Sequence, residues 1–77
     1  MEFRELDTVV VKRDMPDLGL RRGDLGAVVH VHDGDELEVE FVTAAGRTEA
    51  LVTLSVSDVR AIASTDLVSV RSLRRSA

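Results

Sequence analysis

His30-Val31-His32-Asp33 is the stretch whose residue types most resemble a metal site. Two histidines at i and i+2 on an extended strand share a face within reach of one ion, and Asp33 would add an oxygen ligand. A tight zinc site needs a third or fourth ligand from elsewhere, and the sequence holds no other histidine and no cysteine. The plainer expectation is two solvent-facing imidazoles on a hairpin, opposite glutamates with which they pair when protonated. His30 and His32 therefore stay a weak metal candidate, and no metal or cofactor is assigned. Beside them Asp33, Asp35, Glu36, Glu38 and Glu40 form an acidic ridge. Such a ridge can meet a basic partner surface and steer its approach. It can equally be a solvated strand face that discourages edge-to-edge pairing. The Asp-x-Asp-x-Asp-Gly spacing of a calcium loop is absent.

The opposite charge gathers in two places. Lys12, Arg13, Arg21 and Arg22 flank one loop, and Arg71, Arg74 and Arg75 crowd the C-terminal end. Together they suit phosphate contacts, which makes a nucleic-acid or ribosome-associated protein the alternative reading. Two features oppose it. Phe3 and Phe41 are the only aromatic residues, so stacking platforms are missing, as are the aromatic walls of a groove for proline-rich peptides. Residues 1–63 also carry thirteen acids against seven bases, a net −6, whereas residues 64–77 carry Asp66 and three arginines, a net +2. For catalysis there is no cysteine, and no serine has a histidine and an acid placed to activate it. The carboxylates fall mostly on an outward strand face, a poor setting for general acid–base work. An enzyme is not expected.

These residues must be positioned by one small domain, since 77 residues allow no more. A chain of this size buries roughly 60–65% of the surface its unfolded form exposes, so the core must be economical. Without cysteines there is no disulfide framework. No run approaches the ~18 apolar residues of a membrane span, and Met1-Glu-Phe-Arg-Glu has mixed charge unlike a signal peptide, so a soluble, cytoplasmic protein is expected. Thirteen valines favour strands, because a β-branched side chain suits the pleated surface.

Thr8 to Lys12 reads as the first strand. Arg13 to Arg22 reads as a long loop with the only proline, Pro16, and with Leu18 and Leu20 folding back to cap one end of the fold. Gly23 and Gly26 bracket a tight turn, where glycine supplies φ > 0 or close backbone approach. In the strand Ala27 to His32, strict alternation places Ala27, Val29 and Val31 on one side and Val28, His30 and His32 on the other. Asp33-Gly34 then signals a hairpin. On the return strand Leu37, Val39 and Phe41 alternate with Glu36, Glu38 and Glu40. A one-residue slip would bury three carboxylates, so the register is pinned. After the turn Ala44–Arg47, Thr48 to Ser55 is a fourth strand with Ala50, Val52 and Leu54 inward and Leu51 needing cover. Ser57 is expected to cap a single helical turn, with Val59 pointing inward, and Arg60 to Ala63 to form a short last strand anchored by Ile62.

The fold expected is thus all-β, a small five-stranded SH3-like barrel over residues 1–63 with a long loop after strand 1 and a short helical turn before the last strand. An OB-fold would need a longer chain and a helix between strands three and four. Residues 64–77 form a C-terminal tail, docked as a helix or strand or else frayed.

Glu5-Leu6-Asp7-Thr8-Val9-Val10-Val11, the stretch from Gly19 through Gly23-Asp24-Leu25-Gly26 to Val29, Glu38-Val39-Glu40-Phe41-Val42 and Leu54 to Arg60 resemble the bacterial domain-of-unknown-function family numbered 4926. The resemblance spans roughly residues 5–63 and leaves the tail outside. It implies a small stand-alone SH3-like protein, with an antitoxin- or immunity-type partner role suggested by members encoded beside toxin-like genes. A protein-interaction module with another protein as its partner follows as the expectation, the acidic ridge being its binding face; oligomeric state is left open.

Overall fold

The computed structural model of the chain describes residues 2–73. Its five strands are β1 (Thr8–Val11), β2 (Leu25–Val31), β3 (Glu36–Val42), β4 (Thr48–Ser55) and β5 (Val59–Ala61), with single 3-10 turns at Pro16–Leu18 and Val56–Asp58. They form one sheet in the order β4-β3-β2-β1-β5, and every neighbouring pair is antiparallel. This order is compatible with an SH3-like barrel, although no hydrogen-bonded ladder joins β4 to β5, so the sheet is not closed. Among the described residues no helix is long and apolar enough to cross a membrane.

The core is a valine-rich cluster of Val9, Val11, Val28, Leu37, Val39, Phe41, Leu54 and Val59, joined by Met15 and Leu20. β3 behaves as its alternation requires: Leu37, Val39 and Phe41 are buried while Glu36, Glu38 and Glu40 face outward. Cross-strand partners share a face in an antiparallel pair, so Leu37↔Leu54, Val39↔Val52 and Phe41↔Ala50 build the inner layer between β3 and β4. Gly23 and Gly26 serve the two expected purposes separately. Gly23 has φ 95°, the left-handed region, whereas a Cβ on Gly26 would lie 2.5 Å from Val39 Cγ1.

β2 departs from strict alternation. Val28 pairs with Val39 and is buried, but the register shifts before His30, which pairs with Glu38 on the outer face. The bulge inserts Val29 without a ladder partner, so Val28 does not share a face with His30. Ala27, opposite Glu40, and Val31, opposite Leu37, are likewise separated.

In the long loop, Met15 and Leu20 exchange backbone hydrogen bonds and are both buried, whereas Leu18 is exposed. Leu20 therefore closes the end of the core with Met15 as its companion, and Leu18 does not. The second 3-10 turn is capped by Ser55 and not by Ser57. The Ser55 hydroxyl accepts the Ser57 N–H, and the Asp58 carboxylate accepts the Ser55 N–H. β5 ends at Ala61, one residue past Arg60, and Ile62 continues as irregular chain with its N–H on the Thr8 carbonyl. Beyond it, residues 64–73 contain neither helix nor strand. Leu51 stands 55% exposed on the outer face.

Candidate functional site

Two charged regions emerge, one on the β2–β3–β4 face and one where the tail meets the long loop. On the first, successive glutamates of β3 project about 7 Å apart along the strand. Their neighbours are Ser55, Thr53 and Leu51 on β4, and His30 and Ala27 on β2. Glu38 Oε1 lies 3.3 Å from His32 Nε2, and the Thr48 hydroxyl donates to Glu40. Among the described residues none of the three glutamates has a lysine or arginine ion pair. Asp33 and Asp35 sit in the hairpin loop, which the His32 N–H closes onto the Glu36 carbonyl; Gly34 supplies its left-handed residue. The Asp35 carbonyl accepts the Val56 N–H, linking the hairpin tip to the 3-10 turn.

The two imidazoles meet edge to face with ring centres 4.6 Å apart. His30 Nδ1 is 3.8 Å from Glu5 Oε2, so each ring faces one carboxylate. Among the described residues no group of three or more histidine, cysteine, aspartate or glutamate side chains converges as a metal site.

The arginines are arranged differently. Arg13 is tied to Asp58, Nη2 to Oδ1 at 2.9 Å, next to the Ser55 cap. Arg71 makes a fork onto Asp24: Nε donates to Oδ1 and Nη2 to Oδ2, both at 2.7 Å, and Nη2 also donates to the Gly19 carbonyl at 3.0 Å. Arg21 and Arg22 do not join these contacts by a side-chain bond. Their backbone N–H groups donate to Asp24 and Asp14, which closes the loop. Arg74 and Arg75 lie outside the described residues.

A further fork, not expected from the sequence, joins Arg60 to Asp66 at 2.8 and 3.0 Å, and the Ala63 N–H donates to the same carboxylate at 2.7 Å. These bonds hold the Asp66 carboxyl down at about 2, the Arg60 guanidinium first and the Ala63 amide second. For Asp24, partial burial pushes upward, but the bonds from Arg71 and the Arg21 amide outweigh it and leave the carboxyl below its ordinary value. Nothing local in the sequence joins Asp24 to Arg71. The Arg60–Asp66 spacing is short enough to notice, yet without a regular element it predicts no geometry.

The tail thus crosses the outer face of β5, β1 and β2, held at Asp66 and again at Arg71. Val10, whose cross-strand partners are Leu25 and Arg60, is buried beneath this crossing. Beyond it a half-open groove of about 510 Å³ runs between the long loop, the β3–β4 turn and residues 69–73.

An antiparallel five-strand sheet with a looped insertion after its first strand and a capped turn before its last defines a small all-β domain. The matching family model is a domain of unknown function (DUF4926), aligned over residues 5–61. The chain belongs to this family. Every strand falls within the matched segment, while Asp66 and Arg71 lie beyond it. No curated protein and no solved structure matches the chain.

Proposed function

We propose that the chain is a non-catalytic protein-interaction module that presents the outer face of the β2–β3 hairpin to a basic surface of a partner protein. The observation that carries this reading is the row Glu36, Glu38 and Glu40, aligned on a rigid strand and left without a lysine or arginine counterion among the described residues. Like charges in a row repel one another, and a basic partner relieves that repulsion while gaining a steered approach. Exposed Leu51, directly opposite Glu40, adds an apolar contact inside the acidic field. The antitoxin- or immunity-type role implied by the family resemblance belongs to this class, and a cytoplasmic setting would suit it.

The nucleic-acid reading loses support because Arg13 and Arg71 are already engaged with carboxylates. A guanidinium shared with an aspartate releases fewer counterions on meeting phosphate.

The test uses purified products of the neighbouring genes. E36K/E38K/E40K should weaken binding to the cognate product by about tenfold or more at low salt, corresponding to ~1.4 kcal/mol. Unchanged binding by a correctly folded triple variant would remove this face. RNA or DNA binding that falls with salt and is indifferent to the same triple change would favour the arginine reading instead.

A further inference from the structure

The Arg71 clasp occupies only part of the site it lies in. Asp24 is prepared to receive a guanidinium: its Oδ2 is held by the Arg21 N–H at 2.8 Å, and the Gly19 carbonyl is turned toward the same place by a left-handed residue with φ 71°. Three bonds of 2.7, 2.7 and 3.0 Å then define a fork that arginine fits and lysine does not. The groove alongside is different. Leu18, Leu25, Phe41, Val42 and Ala50 line it, and about 510 Å³ is open beside the described residues of the tail. Tail residue Val70 borders this space yet is 94% exposed, and Leu67 is 97% exposed. The described tail satisfies the charge of the site and fills its apolar part only partly, since Leu73, which also lines the groove, is 47% exposed.

We propose that the Asp24–Gly19 fork and the adjoining groove are a docking site for an extended segment of another protein, one carrying an arginine beside a bulky apolar residue, and that the tail is a built-in competitor for it. The seated tail supplies the chemistry of the occupant, since Val70-Arg71-Ser72-Leu73 is an irregular arginine-bearing segment already in the site. The unfilled groove separates a foreign segment from a second copy. A second copy's tail has the same Val70 and Leu73 and would fill the space no better. A foreign segment with Leu, Phe or Met there gains apolar contact that the tail lacks, which it needs to overcome the high effective concentration of a tethered competitor. This surface lies apart from the glutamate row of β3, so the two can fail independently.

The test uses the full-length chain and fluorescein-labelled peptides with the sequence of residues 64–77, read by fluorescence anisotropy. R71A removes the competitor's guanidinium without touching the site. The R71A chain should bind the peptide about tenfold more tightly than the wild-type chain, whose own tail competes. A V70F peptide should bind the R71A chain severalfold more tightly than the native peptide, because the ring enters the groove. An R71K peptide keeps the charge and loses the fork, and should bind about fivefold or more weakly. The peptide substitutions leave the protein unchanged, so misfolding cannot mimic the result. Equal binding of native and R71K peptides, or equal binding by wild-type and R71A chains, overturns the fork. No gain from V70F overturns the groove. A wild-type chain that is a dimer in light scattering, and a monomer as R71A, would assign the site to a second copy and overturn the foreign segment.

Discussion

In β3 Leu37, Val39 and Phe41 are buried, and among the described residues Glu36, Glu38 and Glu40 have no lysine or arginine partner. In residues 64–73 Leu67, Val68 and Val70 stand largely in water while Asp66 and Arg71 are paired. Leu37 and Val39 are at most 1% exposed, whereas Leu67 is 97% exposed. Glu36, Glu38 and Glu40 face outward unpaired with any described arginine, whereas Asp66 and Arg71 each hold a forked partner. One segment is fixed by exclusion of water and the other by charge. The first should therefore respond to changes of volume and the second to changes of proton and salt concentration. Charges available to a partner are found where apolar burial has already fixed the backbone, because the fold does not need them.

The strongest way to break this contrast is to remove the same side chain from each segment. Leu37→Ala should destabilise the protein by about 2–5 kcal/mol in urea unfolding, since it leaves a cavity among Val28, Val39 and Leu54. Leu67→Ala should change stability by no more than about 0.5 kcal/mol. Comparable losses would mean that the tail contributes apolar packing after all, and the division between the two segments would collapse.

The same contrast explains what the sequence made legible. The register of β3 follows from a period of two with three carboxylates as the penalty for a slip, so Leu37, Val39 and Phe41 could be assigned inward without a structure. β2 offers no such penalty. Val28 and Val29 are interchangeable in hydrophobicity, and only pairing with Val39 and Glu38 decides that one enters the core and the other becomes the bulge. The cap at Ser55 follows from the capping-box spacing Ser55-x-x-Asp58, whereas Ser57 has the right residue type without an acid three residues on. The burial of Met15 depends on a bridge to Leu20 across an irregular loop, which no local pattern encodes. The acidic row was visible as a pattern, whereas the Arg71–Asp24 fork rests on one long-range contact and follows no period.

A second change sharpens the volume side of the comparison. Gly26→Ala adds one methyl group against Val39 Cγ1 and Phe41 Cε1, at 2.5 and 2.8 Å before any relaxation. Its backbone is not in the left-handed region, so the cost is packing alone. Overpacking here should lower stability by about 1–3 kcal/mol, measured by urea unfolding. Combining Gly26→Ala with Val39→Ala should recover part of that loss, because the second change vacates the space the first requires. Full additivity would show that the contact with Val39 is not what makes glycine necessary.

The smallest effect concerns the tail and acid. Asp66 titrates at about 2 when clasped, against an ordinary aspartate value of 3.8, and Asp24 is also lowered. Once the tail is released, these carboxylates take up protons more readily, so between about pH 4 and pH 2 the released state binds more protons than the clasped one. The clasp contribution is therefore complete above about pH 4 and lost as pH falls toward 2. Because Asp66 is at the surface, the energy involved is small and further weakened by salt. Amide exchange can still detect it. The Ala63 N–H, which donates to Asp66, should lose protection relative to the Val39 N–H as pH falls through this window, after correction for intrinsic exchange rates. Asp66→Asn should remove most of the pH dependence at Ala63 and leave Val39 unchanged. If Ala63 and Val39 instead lose protection together, the tail opens only when the sheet does, and charge is not what holds it.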